Sequence, residues 1–376
     1  MDLALLSPWK IEDELIEQPS WGGRYIVDLK GLTDSPEWRG KKVGQSYELA
    51  NESRVINPVT KDIHRLADLI RESPQFWLGE GYSSELLAAP LLLIKLTQAK
   101  GNSFQVHLPE GEHLGHWLPK PEAWFYLGPG LYTFGLRANV DVDAFSKALL
   151  SVESEMKKIS ARIQSRAISV DQGRTEATAY IEARNVYQYV NVVEAHTDDI
   201  VDLTAGGIHH SWEEDNARFP DGNLVYEVQV DVQDDLCSMR GFDKGKFIDD
   251  GSIRATHVSD YLKTVRHDPE HNELDRHIKK PLVISETADS TVEAIFRTRY
   301  FNTDRISIRA GGVSRCDINM GLYHIFVLNG NVSSAGVPLA VGGSYVFPAS
   351  VGTVEVTASA ESRLLATYAP FDSEPK

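Results

Sequence analysis

The spacing of apolar and polar positions changes period several times along this chain, and each change predicts a change of element. Residues 1–60 mix short apolar runs with turn formers, as in Trp21-Gly-Gly and Val43-Gly-Gln-Ser-Tyr-Glu-Leu49, the pattern of short strands and loops. From 61 to 89 apolar residues recur at helical spacing (Ile63, Leu66, Leu69, Ile70), and a second short helix is expected around Glu85 to Ala89. The run Pro90–Leu96 is apolar and bounded by turn signals, which suits a buried strand. Lys95 lies inside it, and a lysine there either snorkels out or faces a polar cavity. Residues 103–136 read as strands broken by Gly and Pro, with aromatic residues clustered at Trp124, Phe125, Tyr126, Tyr132 and Phe134. Residues 141–189 are helix formers with charged faces and hydrophobics three or four apart, predicting a helical insert. Strand signals resume at Val190, and Pro220-Asp-Gly-Asn223 reads as a loop between two strands. A polar, His- and Asp-rich connection follows Arg254 to about Lys280, and 290–369 is a last run of short β segments with Gly turns at 311, 330 and 342.

Evenly spaced β segments with helices confined to insertions predict a mainly β fold of the jelly-roll or barrel class rather than a doubly wound sheet. There is no G-x-G-x-x-G or G-x-x-x-x-G-K-[ST] loop, so dinucleotide and P-loop chemistry have no local support. The length, 376 residues, corresponds to two or three domains at roughly 150 residues each. Lys plus Arg minus Asp plus Glu is 38 − 54 = −16, a field that repels nucleic acid and anionic membrane surfaces. Any anionic small molecule must therefore be met by a local cluster of cations. Cys237 and Cys316 are too few for a disulfide framework, no run reaches the roughly 18 apolar residues of a membrane span, and the acidic N-terminal segment does not read as a signal peptide; the expected location is the cytoplasm.

Three groups of residues are candidates for chemistry. Gln105 and His107 project from one face of a strand, and Glu122 on a neighbouring strand can face them across a small barrel; amide oxygen, imidazole and carboxylate together suit zinc. Taken alone, a solvent-facing histidine on a polar strand face explains that pattern better. In Ala205-Gly-Gly-Ile-His209-His210 the glycines permit a sharp turn, and one of the two histidines points inward; an ordinary loop histidine explains it equally well. Lys95, Lys120, Arg240, Lys244 and Lys246 would form an anion site if three segments brought them toward those carboxylates and histidines, and are otherwise surface charge.

Taken in order, Trp21-Gly-Gly23, Gly44-Gln-Ser-Tyr-Glu48, Pro90-Leu-Leu-Leu-Ile-Lys95, Ser103-Phe-Gln-Val-His107, Lys120-Pro-Glu122, Ala205-Gly-Gly-Ile-His209, Tyr226-Glu-Val-Gln229, Arg240-Gly-Phe-Asp243 and Arg254-Ala-Thr-His257 resemble the class I mannose-6-phosphate isomerases. Gly343-Ser-Tyr-Val-Phe-Pro-Ala349 resembles that family's second barrel. The resemblance implies tandem cupin (jelly-roll) barrels with a helical insertion: residues 1–140 begin an N-terminal barrel, 141–189 form the insert, 190–280 complete the catalytic barrel and a linker, and 281–376 form a C-terminal barrel without metal. It implies one zinc per chain in the N-terminal barrel, held by Gln105, His107, Glu122 and His209, with His210 as outward neighbour. Lys95, Ser103, Arg240 and Lys246 match the phosphate-binding cluster, and Glu227 and Lys120 the acid–base positions, with Glu227 the first candidate for the proton carrier. Arg240 would also assist catalysis, and a nearby metal and Arg240 would lower the Lys120 ammonium into a useful range. The implied reaction interconverts mannose 6-phosphate and fructose 6-phosphate through an enediol(ate), on a monomer or small homo-oligomer with a sugar phosphate as its partner.

Several positions depart from the family pattern. Leu108 stands where proline is usual, Thr204 replaces a proline before Ala205, Gln45 and Tyr47 alter the Glu-Ser-Trp-Glu motif, and Pro119 stands where some members have histidine. The segments from His209 to Glu227 and from Glu227 to Arg240 are longer than usual. These changes leave room for an isomerase of a different sugar or a cupin that binds a sugar or sugar phosphate without turnover. An iron-dependent bicupin oxygenase fits less well, because Gln105 is not a usual ligand for it.

Overall fold

A computed structural model describes residues 6–19, 21–80, 92–204, 210–318 and 321–369; of His210 only the backbone is described. The fold is mainly β, as the pattern predicts, and its strands pair antiparallel throughout.

Two large sheets dominate. The seven-stranded sheet runs Ile278–Lys279, Ile200–Asp202, Glu122–Tyr126, Asn223–Val230, Leu92–Ala99, Val43–Leu49, Glu14–Glu17. The nine-stranded sheet carries the strands of the C-terminal region, from Leu282–Glu286 to Ser344–Phe347, and then Trp9–Ile11, Arg54–Ile56 and Ile63–Arg65. The N-terminal segment thus belongs to both sheets: Trp9 pairs with Val346 and Lys10 with Tyr345.

Between the sheets lies one apolar core, to which the seven-stranded sheet contributes Ile94, Leu96, Phe125, Tyr226 and Val228 and the nine-stranded sheet Phe326, Val346 and Leu365. A polar seam runs through it. Lys30, almost fully buried, donates to Glu48 at 3.0 Å, to Asp13 at 2.8 Å and to the Gly342 carbonyl at 2.9 Å, and Ser344 donates to Glu48 at 2.6 Å. The C-terminal strands enclose a separate core with Ile306, Ile325, Val327, Val356 and Leu364.

The strand Leu92–Ala99 is covered on both faces, which is why it reads as a continuous apolar run rather than an alternation. Its even-numbered residues Ile94 and Leu96 face the inter-sheet core; Lys95, Thr97 and Ala99 face the other way, into the N-terminal barrel. On that inner face one end is aromatic, with Trp124, Tyr126, Tyr132 and Trp212, and the other is polar, with Lys95, Thr97, Glu122, Glu227 and Gln229.

The insert forms as the periodicity predicts. Helix Val142–Gln164 is capped by Asp141, whose carboxylate accepts the Ala144 N–H, and buries Phe145, Leu149, Val152, Met156, Ile159 and Ile163 along one stripe. Helix Val170–Arg184 starts at a reciprocal Ser169/Gln172 capping box. Their apolar faces cover Phe104, Val106, Phe242 and Phe247 on the outside of the barrel.

The expected loop at Pro220 to Asn223 precedes the strand Asn223–Val230, and Gly222 is needed there: its φ is 72°, and a Cβ would come within 2.6 Å of the Ala99 carbonyl oxygen. Two expectations need revision. Ile63 belongs to a strand, Ile63–Arg65, and the helix starts only at Leu66. The polar connection after Arg254 contains helices Val258–Thr264, Pro269–Asn272 and Leu274–His277; Val258, Tyr261 and Val265 bury a helical stripe that the surrounding charges obscure in the sequence. The short helix expected at Glu85 to Ala89 lies outside the described residues. No helix among the described residues is long and apolar enough to cross a membrane.

Candidate active site

Strand register assembles the polar end of the barrel. Glu227 is the direct partner of Lys95 on one side and of Trp124 on the other, and Gln229 pairs with Glu122. Lys95 Nζ lies 3.1 Å from Glu227 Oε1, and Thr97 Oγ1 donates to Glu227 Oε2 at 3.2 Å. Lys95 therefore points into the barrel interior and does not snorkel out. Lys120, just before the strand Glu122–Tyr126, places Nζ 3.0 Å from Glu122 Oε2, 3.8 Å from Glu227 Oε1 and 3.8 Å from Asp234 Oδ1.

These charges are all buried: Lys95 is 6% exposed, Lys120 5%, Glu122 1% and Glu227 3%. Burial pushes the Glu227 carboxyl above its ordinary range; Lys95 and Lys120 pull it down, and the neighbouring Glu122 pushes it up. For Lys120, burial works to lower the ammonium, but Glu122, Asp234 and Glu227 outweigh it and hold it well above the usual value. In these surroundings the three carboxylates favour the charged form of Lys120.

His107 lies beside this group on the segment that continues the strand Phe104–Val106. Its Nδ1–H donates to the Cys237 carbonyl at 2.7 Å, which holds the ring in place with Nε2 turned toward Glu122. Nε2 lies 3.6 Å from Glu122 Oε1. Two donors sharing one tetrahedral zinc at 2.0–2.2 Å stand about 3.3–3.6 Å apart, so the pair fits one ion. Gln105 lies two positions before His107 on the same strand segment, and its Nε2 donates to Ser103 Oγ at 2.9 Å, so its amide oxygen is the atom that could ligate a metal. His209 lies outside the described residues, and among the described residues no group of three His, Cys, Asp or Glu side chains is placed to hold an ion.

The other basic residues gather at a second position. Arg240 pairs with Gln105 across the two short strands Phe104–Val106 and Met239–Phe242. Lys246 donates to the Gly101 carbonyl at 2.9 Å, and Lys244 is taken up by Glu213 at 2.7 Å and the Trp212 carbonyl at 2.7 Å. The predicted phosphate cluster is therefore divided: Ser103, Arg240 and Lys246 lie around the 101–105 segment, while Lys95 lies among the carboxylates. Sequence reasoning assigned no role to Arg254, which contacts Ser103 at 3.3 Å. Its position in the quoted Arg254-Ala-Thr-His257 motif was the available signal.

No protein-family model matches the chain, and no curated protein matches it in sequence. Solved structures do. The mannose 6-phosphate isomerase of Bacillus subtilis superposes with a TM-score of 0.68 at 16% identity, covering 96% of this chain and 99% of its own. A point mutant of phosphomannose isomerase from Salmonella typhimurium gives 0.68 at 15% identity over 96% and 99% of the two chains. A mannose 6-phosphate isomerase solved with zinc bound gives 0.67 at 15% identity over 97% and 100%. The chain has the fold of these proteins along almost its whole length.

Proposed function

We propose that this protein is a zinc-dependent aldose–ketose isomerase that interconverts mannose 6-phosphate and fructose 6-phosphate. The observation that carries the reading is the buried set Lys95, Glu227, Lys120, Glu122 and His107 on one inner barrel face: a carboxylate suited to carry a proton, two lysines set against it, and two converging donors suited to a metal. The likeness in fold to isomerases of this sugar phosphate, and the ordered motifs, support the same reading.

Glu227 is the group that takes the proton from C2 of the aldose, leaving an enediolate, and returns it to C1 to give the ketose. A buried carboxylate with a raised pKa is a stronger base than one in water, and placed over both carbons it can move a proton from one to the other. Lys95 and Thr97 orient it. Lys120 opposes the negative charge that develops on O1 and O2. Zinc held by Gln105, His107, Glu122 and His209 would supply Lewis-acid stabilisation of those oxygens. Ser103, Arg240 and Lys246 would hold the phosphate and so fix which carbons lie over Glu227. The two cysteines are free thiols, one of them buried, which suits a reducing cytoplasm.

The test is to incubate zinc-loaded protein with mannose 6-phosphate in deuterated solvent and follow both sugars by NMR. Fructose 6-phosphate should form, with deuterium entering at C1 or C2. Binding of the sugar without exchange or conversion would favour the second reading, a non-catalytic sugar-phosphate binder, for which the departures at Leu108, Pro119 and Thr204 are the motive. Conversion of another aldose phosphate in preference would leave the chemistry and change the sugar.

A further inference from the structure

The strand Leu282–Glu286 ends the nine-stranded sheet: one edge pairs with Ser290–Arg297, and the other has no partner among the described residues. All five of its residues are exposed, and the first three are apolar: Leu282 is 66% exposed, Val283 52% and Ile284 48%. We propose that this edge is the contact surface for a second copy of the chain, which adds its own Leu282–Glu286 antiparallel and continues the sheet across a two-fold axis.

Side chains of a strand alternate between the two faces of its sheet, so consecutive exposed apolar residues mean that neither face is covered. The strand Leu92–Ala99 is apolar because both of its faces are buried; Leu282–Ile284 has the same kind of composition and lies in water. Edge strands avoid chance pairing by carrying charge or proline. Here those residues stand only at the ends, Lys280 and Pro281 before the apolar run and Glu286 after it, and the centre is unguarded. The irregular register between Val283 and Ser285 keeps the paired segment short, so burial of the three apolar side chains of each copy, more than a long ladder, supplies the attraction.

Charge selects the occupant and its direction. Lys280 and Glu286 are both exposed, and among the described residues neither has an ion-pair partner in its own chain. In an antiparallel pairing of two copies the Lys280 end of each strand lies beside the Glu286 end of the other, so both ends are complementary. A parallel pairing sets lysine beside lysine and glutamate beside glutamate, which is unfavourable. Residues 278–288 carry Lys279, Lys280 and Glu286, a net charge of +1 (2 − 1) in a chain of −16, so two copies approach here against little local repulsion. The contact is isologous and uses up this edge in both copies, so it stops at a dimer.

Sedimentation equilibrium of the full chain from about 1 to about 200 μM should show a reversible monomer–dimer equilibrium, the range suited to a small interface. Lys280→Glu and Glu286→Lys, each alone, set like charges together at both ends and should weaken the dimer at least about tenfold. An equimolar mixture of the two variants restores opposite charges at both ends and should dimerise as the unaltered protein does. Val283→Lys should weaken the dimer at least about tenfold by placing charge at the axis, and all three variants should keep the melting temperature of the unaltered protein, since the positions are exposed. A chain that stays monomeric over this range overturns the proposal. So does a mixture no tighter than its components, a Val283→Lys variant that dimerises normally, or growth beyond the dimer through the sheet's other end strand, Ile63–Arg65.

Discussion

Glu122 is shared between His107 and Lys120: one carboxylate oxygen stands 3.6 Å from His107 Nε2 and the other takes the Lys120 ammonium at 3.0 Å. The two contacts divide the carboxylate between a metal-donor side and a cationic side. His107→Ala should therefore remove bound zinc from the purified protein, as read by elemental analysis, while leaving the barrel folded by circular dichroism. Full zinc content in that variant would mean that the ion is held elsewhere.

Glu227→Gln keeps the shape and the partners at Lys95 and Thr97 but cannot take a proton. The rate constant kcat should drop by about 10²–10⁴, the range for loss of a general base. Zinc content should stay at the level of the unaltered protein, because Glu227 is not one of the proposed donors. A variant that keeps more than a tenth of the activity would move the proton carrier to another residue.

The positions that carry this argument were unequally legible in the sequence. The strand that carries Lys95 could be placed because Leu-Leu-Leu-Ile-Lys-Leu is a short apolar run of the kind a doubly covered strand needs, but the direction of the lysine and its pairing with Glu227 come from the register of two strands far apart in sequence. The helix Val142–Gln164 was legible because its stripe repeats over six turns. By contrast, the helix Val258–Thr264 has seven residues and only three apolar anchors, too short a window for a period to stand out. The pairing of Trp9–Ile11 with Ser344–Phe347, and the contact of Arg254 with Ser103 across 151 positions, depend on how distant segments meet, and no local pattern encodes that.

The seam between the two sheets predicts an acid-sensitive interface. His324 is fully buried, 3.4 Å from the Tyr226 hydroxyl, and burial, with Lys30 adding to it, lowers the imidazole to about 3. In the unfolded chain the ring binds a proton below about 6.5, whereas in the fold it stays neutral until near 3. The unfolded state thus carries more protons in that window, so the contribution to stability is complete above 6.5 and is lost as pH falls toward 3. Urea midpoints measured from pH 7 to pH 4 should decline, and His324→Phe should flatten that decline. An unchanged slope in the variant would show that other groups set the acid limit.

Lys30 is the other charge in the seam. Lys30→Met leaves Glu48 buried without its ammonium, and removing one member of a buried ion pair costs about 3–5 kcal/mol. Chemical denaturation of the variant should show a loss of that size. A loss under about 1 kcal/mol, the range of an exposed pair, would mean that the pair is solvated and does not join the two sheets.

The central claim, that the buried carboxylates and cations of the first barrel isomerise a sugar phosphate with zinc, is tested most directly by a coupled assay for fructose 6-phosphate formed from mannose 6-phosphate. The measurement is made on zinc-loaded protein, after chelation, and after zinc is restored. The account predicts turnover that disappears with the chelator and returns with the metal. A zinc-replete protein that forms no ketose from mannose 6-phosphate or from any of a panel of aldose phosphates would contradict it.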